Sequence, residues 1–182
     1  SNIKYNIFKR INTPGLKLES QEIRHALYQG AATDLLQMLA ETEAFKKATN
    51  NSIPADRMLD QEFILRYIGF KYLGVEKFKQ SGLSIDVFLN QTMEYLRDCT
   101  KVRRVQIKDT FINAMECAYS IFGPYAFRRI TGIPPAKKNP INVALFESWS
   151  VGLSELSVNE QRSLINRKED VINIFVDTLK EH

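Results

Sequence analysis

Within the segment IFKRINTPGLKLESQEIRHAL (residues 7–27), Arg10, Asn12, Thr13 and Arg24 carry groups that could act on one ligand. A guanidinium offers parallel N–H groups that match a carboxylate or a phosphate, so Arg10 and Arg24 could grip either. Asn12 can donate and accept at once, and with Thr13 it enters the Pro14-Gly15 turn, where it could hold a neighbouring loop. The same residues admit a plainer use. Asn12 and Thr13 then serve only the turn, and Arg24 pairs with an acid on the next helix. Glu22 and His25 stand three residues apart, a spacing that puts them on one helix face, where a carboxylate could orient an imidazole as a general base. An ordinary polar face accounts for that pair equally well.

Two basic runs are free of acids. Residues 100–108, TKVRRVQIK, contain Lys101, Arg103, Arg104 and Lys108. Residues 124–140 contain Arg128, Arg129, Lys137 and Lys138 beside Tyr125 and Phe127. Cations grouped this way can meet a nucleic-acid backbone through charge and counterion release, which gives affinity without sequence choice. Otherwise they are a solvated helix start and a solvated loop. The remaining aromatics, Phe63, Phe88, Phe111, Phe122, Phe146, Trp149 and Phe175, sit at helical spacing and read as core.

Other chemistries lack their residues. No G-x-x-x-x-G-K-[ST] phosphate loop occurs, and the two cysteines, Cys99 and Cys117, have no neighbouring Cys or His at metal-ligand spacing. No metal or cofactor is therefore expected in this chain. No apolar run approaches the roughly 20 residues of a membrane span, and no secretory leader is visible. A reduced, cytoplasmic setting is expected, with no membrane partner. The formal net charge is only +4.

The elements that would position these residues read as helical throughout. Helices are expected over residues 3–11, 20–29, 33–48, 56–73, 84–98, 101–122, 141–156 and 160–180. Turns or loops are expected at 12–15, 49–54, 80–84 and 123–140. No alternating stretch reads as a strand, so the expected class is all-α, an irregular bundle of about seven helices with no substantial sheet. The length of 182 residues suits a single domain, with the proline-bearing stretch 123–140 as the place for any subdivision. The start at Ser1-Asn2, without Met, suggests a piece of a longer protein.

The opening segment also resembles a motif of a bacterial domain-of-unknown-function family. That family is found in the specificity half of GmrSD-type, modification-dependent restriction systems and in other phage-defence proteins. The matching positions are Ile7, Phe8, Arg10, Ile11, Asn12, Thr13, Gly15, Leu18, Glu22 and Arg24. The later NPINVALFESWSVGLSELS (139–157) looks like the family's downstream helix. Family members carry an upstream D-G-Q-Q-R motif associated with nucleotide binding and hydrolysis, and many carry a His-Asn-His nuclease domain; neither occurs in this chain.

The resemblance implies the helical part of a nucleotide-dependent, DNA-targeting defence protein. Arg10, Asn12, Thr13, Glu22 and Arg24 would then complete a nucleotide site with a D-G-Q-Q-R segment of the same protein. A nucleoside triphosphate with Mg would bind the longer protein, and the basic runs would contact DNA. By itself this chain is expected to lack catalysis. The alternative is a helical scaffold or protein-interaction module with no ligand of its own.

Overall fold

Short polar side chains start several of the helices. Thr42 Oγ1 accepts from Phe45 N–H, Ser84 Oγ from Val87 N–H, and Asn142 Oδ1 from Leu145 N–H at 3.0 Å. Ser157 and Glu160 form a reciprocal box, with the Glu160 carboxylate accepting from Ser157 N–H at 2.8 Å. The computed structural model describes residues 2–11, 18–132, 135 and 137–180. Among them the chain is all-α, with no strand and one isolated bridge, Arg128 to Ile141.

In chain order the helices are α1 (Asn2–Ile11), α2 (Ser20–Leu27), α3 (Ala31–Ala40), α4 (Glu43–Thr49), α5 (Leu59–Ile68), α6 (Gly74–Gln80), α7 (Ile85–Asp98), α8 (Lys101–Phe122), α9 (Val143–Glu155), α10 (Val158–Asn166) and α11 (Lys168–Lys180). They outnumber the seven or so expected, because two of the expected runs divide and α6 stands where no helix was expected. The run 33–48 breaks where the Thr42 hydroxyl caps a new helix. The run 56–73 begins with a 3₁₀ turn and ends in a π turn, Gly69–Leu73, and Gly74 opens α6 instead of closing the run. The run 160–180 parts at Arg167, which leaves helical geometry at φ −109°.

The chain divides into two compact units. One comprises residues 1–41 and 54–108, the other residues 42–53 and 109–182. Neither division falls within 123–140, a stretch that belongs to the second unit. In the first unit α3, α5 and α7 bury Leu36, Leu39, Ile64, Ile68, Phe88, Leu89 and Met93. Gly69 lets α7 approach closely, because a Cβ there would stand 2.7 Å from Phe88 Cε1 and 2.8 Å from Thr92 Oγ1.

The second unit is held by aromatic packing. The Phe45 ring meets Phe146 edge to face at 6.3 Å, and Phe146 meets Phe127 at 4.8 Å. Phe122, Trp149 and Phe175 form a second group with centroids 4.7–5.7 Å apart. Such edge-on pairs align a ring's positive rim with its neighbour's negative face. No described helix is long and apolar enough to cross a membrane.

Candidate functional site

The first unit contains a linked set of charges centred on α2. Glu19 precedes the helix, and its N–H donates to the Glu22 carboxylate at 2.6 Å. This fixes the first turn and turns Arg24 inward, toward the helices that carry Glu62 and Asp86. Arg24 has no exposed surface. Its Nε donates to Gln21 Oε1 at 2.7 Å, its Nη1 to Asp86 Oδ1 at 3.0 Å, and its Nη2 to Glu62 Oε2 at 2.8 Å. All three nitrogens of the fork are thus engaged within the unit.

The two carboxylates bind further cations. Lys9 Nζ donates to Asp86 Oδ2 at 2.7 Å, and Arg66 Nη2 to Glu62 Oε1 at 2.9 Å, one helical turn along α5. Tyr5 is buried and places its ring face toward both Lys9 and Arg24, 5.7 and 5.9 Å from its centroid. Burial pushes the Tyr5 hydroxyl pKa up. For Asp86, burial alone would also raise the pKa. The hydrogen bonds and charges of Lys9 and Arg24 outweigh it and pull the carboxyl down to about 2.

Beside this network lies a cleft of about 520 Å³, lined by Glu19, Asp56, Glu62, Asp86 and Arg57 together with apolar Leu59 and Ile85. Arg57 pairs with Glu22 at 3.2 Å. Among the described lining residues the carboxylates therefore outnumber the cations. Of these carboxylates, Glu62 and Asp86 are paired with Arg24, Arg66 and Lys9, and Glu19 stands 3.9 Å from Arg57.

The expected site residues are placed as follows. Glu22 and Arg24 lie in the network, and Arg10 is exposed on α1. Asn12 and Thr13 lie outside the described residues. His25 has a buried Nδ1 with no hydrogen-bond partner among the described residues, while the Glu22 carboxylate binds Glu19 N–H and Arg57.

The basic runs fall in different units. In the first, Arg103 stacks over Tyr72 at 4.7 Å and donates to the Tyr95 hydroxyl at 3.0 Å. Arg104 donates to the Cys99 carbonyl. Lys101, Arg104 and Lys108 edge an apolar groove between α3 and α8. In the second, Arg129, Lys137 and Lys138 are exposed. Arg128 instead is buried and holds the loop from inside. Its guanidinium donates to the Thr49 carbonyl at 3.1 Å, to Ser52 Oγ at 2.7 Å and to the Asn139 carbonyl. Burial lowers its pKa. Phe127, read from the sequence as a residue of the basic loop, is buried as well.

The sequence reading did not single out Lys9, Glu62 and Asp86 as partners of Arg24. They stand 15, 38 and 62 residues from it, and no local pattern links such positions. No family model, no curated protein and no solved structure matches the chain.

Proposed function

We propose that this chain is a helical interaction module that braces itself with buried arginines and has no nucleotide site of its own. The observation that carries this reading is the use of Arg24 and Arg128. A guanidinium that grips a phosphate must keep part of its fork open to the ligand. Both arginines are buried and bonded to groups of their own unit. The exposed Lys101 and the half-buried Lys108 border an apolar groove, a surface better suited to protein than to phosphate.

The test uses the purified chain. It is titrated with Mg and a fluorescent ATP analogue, and separately with duplex DNA from low to physiological salt. The expected result is binding of neither. Saturable binding of either would overturn the module reading.

A second reading follows the resemblance. In it the residues after Arg10 complete a nucleotide site of a longer defence protein. The cleft lined by Glu19 and Ser20, which follow those residues in the sequence, is the feature in its favour. Its acidic lining means that a polyphosphate would need a divalent cation or basic groups from another segment. Asn12→Ala in the longer protein tests it, and unchanged NTP hydrolysis with an intact fold would exclude it.

A further inference from the structure

The groove between α3 and α8 in the first unit encloses about 400 Å³. Leu35 and Met38 come from α3, and Val105 from α8. Met38 is 38% exposed and Val105 51% exposed, so apolar side chains of this groove stand in water. Along its α8 side run Lys101, Arg104 and Lys108. Their spacing of three and then four residues aligns them on one helix face, as a rail of positive charge beside an apolar floor. Among the described residues neither Lys101 nor Lys108 has a carboxylate partner. Arg103, the remaining cation of the run, is held over Tyr72.

We propose that this groove docks an amphipathic helix of a partner protein, one whose apolar stripe is flanked by Asp and Glu. The proposal rests on the module reading above and names the partner's chemistry. Two parts of the surface demand different things of an occupant. The cation rail is complementary to carboxylates or phosphates, and the floor is stabilised only by apolar side chains that displace its water. A duplex backbone satisfies the rail but sets Met38 and Val105 against hydrated phosphates. An acid-flanked helix satisfies both, with apolar side chains three and four residues apart entering the groove and acids beside them reaching Lys101, Arg104 and Lys108. Met38 suits such a floor, because its unbranched thioether adapts to the shape that enters. Asp34, at the groove's α3 edge, lies among the same lining residues and disfavours an acid on that side, which sets the orientation of the docked helix.

The test uses the whole chain and three labelled probes. One is a helical peptide with leucines at i, i+3, i+4 and i+7 and glutamates flanking that stripe. The second is the same peptide with lysines in place of the glutamates, and the third is a short DNA duplex. The acid-flanked peptide is expected to bind at least tenfold tighter than the lysine-flanked one. Its amide shift perturbations are expected on α3 and the start of α8. The double variant Lys101→Glu/Lys108→Glu should reverse the preference, and Met38→Gln should weaken both peptides, with unchanged thermal unfolding showing that the fold is intact. Equal binding of the two peptides, a preference untouched by the charge reversal, or shifts elsewhere on the chain would overturn the docking proposal and leave the module reading in place. Duplex binding that competes with the peptide at physiological salt would overturn both.

Discussion

Arg24 Nη2 lies 2.8 Å from Glu62 Oε2, and the guanidinium that makes this contact has no exposed surface. The partners are less enclosed, with side-chain exposures of 19% for Glu62 and 28% for Asp86. The cost of burial therefore falls chiefly on the arginine, and three hydrogen bonds and two opposite charges offset it. Removing Arg24 leaves each carboxylate with its outer cation alone, Lys9 for Asp86 and Arg66 for Glu62, and leaves the oxygens that faced the interior without a donor. Arg24→Met is expected to lower stability by about 3–5 kcal/mol, read as a shift of the urea midpoint at constant slope. Arg24→Lys should recover little of it, because an ammonium cannot reproduce the fork. The triple variant Arg24→Met/Glu62→Gln/Asp86→Asn removes the charges of both Arg24 pairs and leaves only the more exposed Lys9 and Arg66 without carboxylates, so it should recover part of the loss. A loss under about 1 kcal/mol for Arg24→Met, the range of exposed pairs, would refute the assignment of Arg24 as an internal brace.

The same network sets an acid limit. The folded Asp86 carboxyl titrates at about 2, below the roughly 3.9 of an unfolded aspartate. A depressed folded value stabilises the fold in the ionised state. The contribution is complete above about pH 4 and disappears as pH falls toward 2, because the unfolded chain takes up the proton first. Its size is about 2 kcal/mol. Unfolding free energy measured across that window should fall more steeply for the native chain than for Asp86→Asn. Parallel curves would exclude Asp86 as the titrating group.

The all-α class was legible in the sequence because apolar residues recur at helical spacing and no stretch alternates. The helix that follows Ser84 and the long run Lys101–Phe122 were legible for the same local reasons. The division at Thr42 was less so, since Met38 and Phe45 keep a seven-residue apolar spacing across it while the break depends on a single hydroxyl. The Ser157–Glu160 box was a readable signal, a serine three residues before a glutamate, and it marks the start of α10. The site was legible only in part. Arg24 stands out as a residue able to grip an anion, and an acid on another helix was one of the two uses open to it. Which acids it meets depends on α5 and α7 packing against α2, and that is long-range information. Arg128 and Arg129 show the same limit, for adjacent residues of one type have opposite environments.

Gly69 and Gly152 should respond oppositely to a methyl group. At Gly69 the added Cβ would meet Phe88 and Thr92 at 2.7–2.8 Å, so α5 and α7 would have to part. Gly69→Ala is expected to cost about 1–3 kcal/mol. Gly152, inside α9, has no atom within 4 Å of the position a Cβ would take, and its backbone is helical. Gly152→Ala is expected to stabilise by about 0.4–1 kcal/mol, through the lower entropy of the unfolded chain. Thermal unfolding of the two variants checks the pair. Equal effects would refute the close approach at Gly69.

Arg128 and Arg129 provide the last contrast. Arg128 donates into the second unit, joining the end of α4 at Thr49 and Ser52 to the chain that returns to α9 at Asn139. Replacing it by leucine keeps much of the apolar stem but takes a donor from the Asn139 carbonyl and from Ser52 Oγ, and leaves the Thr49 carbonyl with the Ser52 N–H alone; each buried polar group left without a partner costs about 1–3 kcal/mol. Arg128→Leu should therefore lower stability by at least about 2 kcal/mol and expose the chain near residues 128–142 to limited proteolysis. Arg129 is exposed, and what its residue gives the loop is a carbonyl that accepts from Asn139 Nδ2 at 2.7 Å. That bond survives any side-chain replacement, so Arg129→Ala should stay within about 0.5 kcal/mol of the native chain. A cost at Arg129 matching that at Arg128, or an Arg128 variant that resists protease like the native chain, would refute the account of Arg128 as the brace of this loop.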